Sequence, residues 1–287
     1  MSKSRWAGAA LIVLSAISFG AMAIFARFAF AAGVDVMTLL FLRFSVSGCL
    51  LAVFMGLFSR RWPRGRNLAV LVLMGSVGYV AQSYCFFSAL QFATAGLVAL
   101  LLYLYPFLVM VLGAVFLGER LGIVKMGLVL AAFVGVALTI GSSMDGSRTG
   151  VLLGMAAALI YALYILTGGQ ILREEEPLGA AAVVMLAAAA IFAVGVLLGT
   201  PRFPVDAAGW GWVMAIALLS TVVAMLSLFA GIRRLGAADA ATLSILEPVV
   251  TFALAAAFLN EGATLPQILG GILVLLALTG LARRETN

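Results

Sequence analysis

A carboxylate stands directly before a proline inside a long apolar stretch, in the segment Leu246-Glu247-Pro248-Val249. A charged side chain at the centre of a membrane helix costs about 2.5–3.5 kcal/mol on insertion scales. Glu247 is therefore expected to face protein or water rather than lipid. Ser244, Glu247 and Thr251 follow at i, i+3 and i+7, so they share one helix face. This face is predicted to bind substrate, with Glu247 holding an ammonium group or carrying a proton. The alternative is that Glu247 only joins two helices through a hydrogen bond.

The same pattern occurs 142 residues earlier, as Leu104-Tyr105-Pro106-Phe107. When Ala89–Leu121 is aligned with Gly231–Ala263, ten of 33 positions are identical. The proline and glutamate matches carry the inference, because matches among Ala and Leu mean little in an apolar chain. Pro106 and Pro248 each leave a carbonyl one turn earlier without its donor, so both are predicted to kink their helices and act as hinges. The chain is therefore predicted to contain one membrane unit twice.

Repeat symmetry places Tyr105 opposite Glu247, which makes Tyr105 the predicted substrate contact of its helix. Tyr103 lies about 200° away from Tyr105 around a continuous helix, so only one of them is expected to face inward. Further candidates share polar or aromatic faces of other apolar segments. They are Tyr79, Gln82 and Ser83; Tyr161 and Tyr164, which the repeat pairs with Phe19 and Met22; and Thr221. For each aromatic side chain taken alone, the alternative is packing or anchoring at the membrane interface.

Two arginines lie inside or near the ends of apolar segments. Arg43 is about two turns inside its segment, and Arg27 is near the end of another. One interpretation is that each long side chain reaches the membrane interface while its stem stays in apolar surroundings. The other is that either arginine receives a substrate carboxylate, or pairs with Asp35 or Asp239.

Glu119 and Glu261 close their apolar segments just before the next helix begins. A carboxylate there is predicted to cap the following helix and to favour its positive end. Asp239 similarly suits the opening turn of its helix. The Gly150-x-x-x-Gly154 pattern is typical of close helix packing, either within the chain or between two copies. We expect these glycines to pack within the chain, and we expect the protein to be a monomer.

Composition places these residues in a membrane. Apolar residues make up 65% of the chain, charged residues 10%, and the mean hydropathy is +1.22. This composition is typical of a polytopic α-helical membrane protein and not of a soluble chain or a β-barrel. The net charge of +6 then indicates orientation rather than nucleic-acid binding. Cys49 and Cys85 lie in apolar runs and are expected to be small buried thiols, so no metal or cofactor site is predicted.

Breaks at Gly, Pro and polar clusters predict ten spans, each close to the length that crosses about 30 Å of hydrocarbon. Their limits are 6–30, 37–58, 67–89, 94–117, 122–142, 149–172, 178–199, 209–231, 236–258 and 264–283. The first, preceded by Lys3 and Arg5, is too long for the core of a signal peptide and is expected to remain uncleaved.

The distribution of Lys and Arg predicts that both termini are cytoplasmic. With a cytoplasmic N-terminus, thirteen basic residues fall on the inner side and only Arg148 and Arg202 on the outer side. The thirteen are Lys3, Arg5, Arg60, Arg61, Arg64, Arg66, Arg120, Lys125, Arg173, Arg233, Arg234, Arg283 and Arg284. Because five is an odd number of spans, two five-span units cross the membrane in opposite senses. The predicted units are residues 1–145 and 146–287, an inverted repeat.

Ten spans in two halves, each with a proline-centred fourth span that ends in a Gly/Asn-Glu motif, resemble the EamA type of the drug/metabolite transporter superfamily. The resemblance covers essentially the whole chain. It implies inverted repeats around a central substrate cavity, alternating access, and export of metabolites or amino acids across the bacterial inner membrane. The aromatic-rich third, fourth and sixth spans are also similar to YddG-type amino-acid exporters.

The leading hypothesis is a secondary transporter with a midplane cavity between spans 1, 3, 4, 6, 8 and 9. The chain lacks a Walker A motif and has no histidine, so ATP hydrolysis by that route and proton relay through imidazole are excluded. An embedded enzyme would need paired carboxylates or metal ligands, and one deep carboxylate without any histidine does not supply them, so the protein is not expected to be an enzyme. A channel would need a continuous polar path, and spans this apolar argue against one. Aromatic walls with isolated polar groups suit an amino acid. Hydrophobic drugs are the alternative substrate.

Overall fold

The computed structural model describes residues 3–58, 60–117, 122–141, 147–171, 175–235, 243–244, 246–262 and 264–285. Within these ranges the regular elements are all helical. Seven helical stretches are long and apolar enough to cross a membrane. Three shorter apolar helices, Ile123–Leu138, Leu246–Leu259 and Leu265–Gly280, lie where spans 5, 9 and 10 were predicted. The prediction of an all-helical, multi-pass membrane protein is confirmed.

Among the described residues, the N-terminal half contains eight α-helices, and a π-helical segment, Met74–Tyr79, joins the fourth to the fifth. The eight are α1 Lys3–Gly20, α2 Met22–Ala31, α3 Val36–Leu57, α4 Gly65–Leu73, α5 Val80–Ala89, α6 Ala95–Leu102, α7 Tyr105–Leu117 and α8 Ile123–Gly141. The C-terminal half adds six, and a second π-helical segment, Leu218–Val223, joins α11 to α12. These are α9 Arg148–Ile171, α10 Pro177–Leu198, α11 Ala207–Ala217, α12 Ala224–Leu235, α13 Leu246–Leu259 and α14 Leu265–Glu285.

Side-chain caps fix several helix starts. The Asp35 carboxylate accepts from the Thr38 amide at 3.0 Å and the Thr38 hydroxyl at 2.6 Å at the start of α3. It also accepts from the Arg202 amide at 2.6 Å. Burial raises the pKa of Asp35, but these hydrogen bonds lower it more, so the net pKa is below its usual value. Thr94 caps α6 and Asp206 caps α11 in the same way.

The fourth predicted span is two helices rather than one kinked helix. Helix α6 ends at Leu102, Tyr103 and Leu104 form a turn, and α7 begins at Tyr105. Pro106 therefore lies in the first turn of α7, where its missing N–H leaves no acceptor unsatisfied. Pro248 lies in the first turn of α13 in the same way. At Pro106 this break, rather than a bend, sets the direction of the side chains.

Glycines allow the closest helix approaches. A Cβ on Gly8 would lie 2.8 Å from Leu235 Cγ, and one on Gly150 would lie 2.8 Å from Ala93 Cβ. A Cβ on Gly154 would meet Leu101 at 2.7 Å. Gly150 and Gly154 thus pack within the chain, as expected. Of the two cysteines, Cys49 is exposed and Cys85 is half-buried, both free, so the expectation of two buried thiols is wrong.

Helices from the two halves pack against each other throughout the bundle. Helix α3 packs along α10, α8 along α14, α1 along α12, and α5 along α9. Helix α7 contacts α9, while α13 contacts α1. These contacts bring residues that are far apart in sequence around one internal space.

Candidate functional site

A cavity of about 470 Å³ lies between helices of both halves. Eight residues of the predicted site line it: Phe19, Tyr79, Gln82, Tyr105, Pro106, Tyr161, Ser244 and Glu247. The walls come from the six predicted spans, together with Arg43 of α3 and Leu278 of α14, whose spans were not among those predicted. The aromatic, polar and charged side chains that the sequence indicated are thus brought to one place.

Glu247 is positioned by close contacts of its own backbone. A Cβ on Gly20 would lie 2.9 Å from the Glu247 carbonyl oxygen, so only glycine permits this approach of α1 to α13. The Thr251 hydroxyl lies 3.0 Å from the Gly20 carbonyl oxygen and 3.1 Å from that of Glu247. The carboxylate of Glu247 is paired with the Tyr103 hydroxyl. These contacts hold Glu247 at the cavity wall.

Tyr103 and Tyr105 both line the cavity, and their ring centroids are 6.3 Å apart. The expectation that only one could face inward is therefore wrong. It assumed a continuous helix, whereas the turn at Tyr103 and Leu104 separates α6 from α7. Only the proline next to Tyr105 signals this break in the sequence.

Five of the chain's six tyrosines form a row of ring contacts. The row runs from Tyr103 to Tyr105 at 6.3 Å, to Tyr161 at 4.7 Å, to Tyr164 at 6.1 Å and to Tyr79 at 5.5 Å. Such pairs add about 0.5–1.5 kcal/mol each beyond buried area. Four of these tyrosines, Tyr79, Tyr103, Tyr105 and Tyr161, line the cavity and form an aromatic wall that carries hydroxyl groups.

Four predicted site residues do not line the cavity but support it. Ser83 is buried and donates to the Gln82 side-chain oxygen at 3.2 Å. The Tyr164 ring contacts the rings of Tyr79 and Tyr161, both of which line the cavity. Thr251 joins α13 to α1, as described above, and Thr221 supports an arginine. Pro248 faces a different hollow, between α6, α13 and α14.

Arg43 is a charged lining residue from a span that was not predicted to border the cavity. Its side chain is buried, with only 3% of the residue exposed, so it does not reach the membrane interface. The Arg43 Nε donates to Thr221 Oγ1 at 3.0 Å, and Thr221 donates to the Ile216 carbonyl at 2.9 Å in the second π-helical segment. The guanidinium carbon lies 4.9 Å from the Phe44 ring centroid and 5.3 Å from that of Phe87. The depth of Arg43 in its segment was the available signal.

At another edge of the bundle, Arg27 and Glu261 form a second polar cluster. Arg27 donates to the Leu90 carbonyl at 2.6 Å and lies 3.9 Å from the Glu261 carboxylate. That carboxylate accepts from the amides of Ala95 at 3.0 Å and Gly96 at 3.4 Å. Glu261 was predicted to cap the helix that follows it, but its carboxylate caps α6 of the other half instead. Glu119 and Asp239 lie outside the described residues.

Opposite charges and an aromatic wall in one internal space suit an organic molecule better than a metal ion. The described part of the chain contains no group of three or more His, Cys, Asp or Glu side chains that could hold a metal. Glu247 and Arg43 come from different halves, and both border the same space. A ligand with a cationic group, an anionic group and an apolar portion would match these walls.

Comparison with known proteins gives the same class. The model of the EamA-like transporter family matches residues 6–141 and again residues 148–283. An uncharacterized transporter of Bacillus subtilis, YcbK, is 24% identical over 97% of this chain and 94% of its own length. A protein named "Probable terminal-alkyne amino-acid exporter", from Streptantibioticus cattleyicolor, is 26% identical over 95% of this chain and 91% of its own. The crystal structure of a protein with 23% identity gives a TM-score of 0.69 over 97% of this chain and 99% of that chain, which supports the fold. Two matches of the family model cover nearly the whole sequence, and the chain belongs to the EamA-like transporter family, whose members are membrane transporters and not enzymes.

Proposed function

We propose that this protein is a secondary transporter that exports amino acids or similar small metabolites by alternating access through the cavity. The observation that carries the proposal is the cavity itself, in which Glu247 and a row of tyrosines meet inside a helical membrane bundle. Glu247 binds the substrate ammonium, Tyr103 orients the carboxylate of Glu247, and the aromatic wall contacts an apolar side chain of the substrate. The protein acts as a monomer in the bacterial inner membrane, with both termini cytoplasmic.

Alternating access rests on two units, residues 1–145 and 146–287, related as an inverted repeat. The double match of the family model supports this division. Packing supports it too: the offset of 142 residues converts the contact of Gly8 with Leu235 into that of Gly150 with Ala93. The two π-helical segments also lie in corresponding spans. Such units exchange two conformations around a fixed site in many secondary transporters.

The described conformation is inward-facing under this proposal. Lining residues continue from Glu247 toward Ile165, Ile232 and Leu278, near the basic ends of their helices. The Arg27–Glu261 cluster ties together the opposite ends of α2, α6 and the link after α13. The positive-inside rule assigns the basic ends to the cytoplasm. Substrate would enter from the cytoplasm, and export would require the Arg27–Glu261 cluster to separate.

An amino acid is the proposed substrate class because the cavity offers opposite charges beside aromatic rings. The Streptantibioticus relative, named "Probable terminal-alkyne amino-acid exporter", supports the same substrate class independently of the cavity. The second candidate is an exporter of hydrophobic drugs. It is favoured by the apolar lining residues of the cavity, which include Val109, Met110, Ile165 and Leu228.

The test is flux of radiolabelled amino acids in liposomes that contain the purified protein, with and without an imposed pH gradient. Saturable flux is expected, and Glu247→Gln should reduce it about ten- to a hundredfold, as for loss of a hydrogen bond to a charged group. Glu176→Gln is the matched control, because Glu176 pairs with Arg60 at the surface. Accumulation driven by the gradient would make Glu247 the proton carrier, and flux that ignores the gradient would indicate facilitated diffusion. Absence of flux for every amino acid would refute the amino-acid proposal, and flux of a hydrophobic dye would then favour drug export.

A further inference from the structure

We propose that Arg43 receives the carboxylate of the transported molecule, which makes the cavity selective for zwitterions. This inference rests on the proposed function and adds the anionic half of substrate recognition to it. Arg43 and Glu247 line the same cavity and carry opposite charges. An α-amino acid presents its carboxylate and ammonium to these two groups and its side chain to the aromatic wall.

The burial of Arg43 calls for a counterion. The residue is 3% exposed, and a buried charge is costly unless it is paired. Across the described ranges, the ion pairs are Arg27 with Glu261 and Arg60 with Glu176, and neither includes Arg43. The protein supplies Arg43 with the neutral hydroxyls of Thr221 and Tyr79 and with two aromatic rings instead. A bound carboxylate would complete these surroundings.

The contacts of Arg43 hold it as a carboxylate receptor. The donation from Nε to Thr221 fixes one edge of the planar guanidinium. The Phe44 and Phe87 rings lie within cation–π distance of it. A guanidinium carries five N–H donors in a fork that matches a carboxylate through two parallel hydrogen bonds. An arginine held in one orientation loses less freedom when a ligand binds.

The row of five tyrosines links the neighbour of Glu247 to a neighbour of Arg43. It begins at Tyr103, the partner of Glu247, and ends at Tyr79, whose hydroxyl is a further partner of Arg43. Tyr79 also contacts the Phe44 ring at 5.3 Å. The offset of 142 residues places Met185 opposite Arg43, so the positive charge has no counterpart in the second half. The cavity wall thus contains one cationic and one anionic side chain, each with a tyrosine partner.

The test compares amino acids with their amides in binding to the purified full-length protein. Leucine and leucinamide form one pair of probes, and phenylalanine and phenylalaninamide the other; each amide keeps the ammonium but lacks the carboxylate. Wild-type protein is expected to bind each acid about ten- to a hundredfold more tightly than its amide, as for a lost charged hydrogen bond. In Arg43→Gln this preference should fall below about threefold, with amide binding unchanged. Arg43→Lys, which keeps the charge but not the fork, should be intermediate.

Arg60→Gln is the control, since Arg60 lies at the surface in its pair with Glu176. A full acid preference in a folded Arg43→Gln protein would overturn the inference and leave the proposed function intact. Equal binding of acid and amide by wild-type protein would also overturn the inference and leave the proposed function intact. Binding of neither acid, with no amino-acid flux, would refute the proposed function and this inference together.

If Arg43→Gln does not fold, Thr221→Val provides a second test. It removes the hydroxyl that orients Nε but keeps the charge. Acid binding should weaken several-fold while amide binding stays constant. Equal weakening of both would indicate a structural role for the Arg43–Thr221 pair and would overturn the proposal.

Discussion

The segments around Pro106 and Pro248 have corresponding backbones and different chemistry. In each, a helix begins within two residues of the proline and the preceding side chain lines the cavity. That side chain is Tyr105 in the first half and Glu247 in the second. The comparison teaches that the repeat preserves helix starts and close packing, whereas the two charged residues of the cavity wall, Glu247 and Arg43, each occur in one half alone. A symmetric scaffold can therefore hold an asymmetric substrate.

The largest effect is expected when the carboxylate is moved to the other half. Tyr105→Glu combined with Glu247→Tyr keeps the composition but changes the position of the charge relative to Arg43. We expect amino-acid export in liposomes to fall about a hundredfold, as for the single change Glu247→Tyr. Recovery of half the wild-type rate in the double variant would show that the two positions are equivalent and would break the comparison.

A change to corresponding glycines should show that the packing, unlike the charge, is shared. Gly8→Ala and Gly150→Ala each introduce a Cβ that would lie 2.8 Å from a neighbouring side-chain carbon. Overpacking of this kind costs typically about 1–3 kcal/mol. The apparent melting temperature in detergent should therefore fall by similar amounts in the two variants. Gly56→Ala, where nothing lies within 4 Å, is the control and should not lower it. If the two variants lost clearly different amounts of thermal stability, the two halves would correspond in sequence but not in the energetics of their packing.

The Arg27–Glu261 cluster offers a smaller effect on the balance between the two conformations. Glu261→Gln removes the charge that caps α6 and attracts Arg27. Loss of such a cap costs about 0.5–2 kcal/mol. Spin labels at Phe92 and Gly262, with both native cysteines replaced by alanine, should show a larger population of longer distances. An unchanged distance distribution would argue against a role in closing that end.

The prolines themselves are expected to have the smallest effect. Pro106→Ala and Pro248→Ala restore an N–H in the first turn of α7 or α13, which would favour continuation of the preceding helix. We expect each to slow exchange between inward- and outward-open states about threefold, less than 1 kcal/mol. Transport rates and crosslinking at both ends measure this. Wild-type rates with unchanged crosslinking in either variant would refute the hinge role of that proline.

Periodicity and composition predict the helices because burial in lipid imposes long apolar segments. They also predict most cavity walls, since polar groups in such segments seldom face lipid. The inward position of Tyr103 could not be predicted from an ideal helix, because the turn before Tyr105 changes side-chain directions. The pairing of Arg43 with Thr221 and the capping of Ala95 by Glu261 join residues separated by 178 and 166 positions. Such pairs depend on which helices pack together, and the local sequence does not specify that packing.

The two π-helical segments, Met74–Tyr79 and Leu218–Val223, have a consequence for insertions and deletions. A π-type turn accommodates one more residue than an α-helical turn of similar length. Deleting Ser76 or Leu219 would therefore convert the wide turn to a regular one and leave the turns on either side in nearly their present angular relation. Deleting a residue from a regular part of the same spans would instead rotate the side chains on one side by about 100° relative to the other. Tyr79 or Thr221 would then point away from Arg43. The alignment of this arginine with its neighbours therefore depends on the residue count of two spans as well as on residue type.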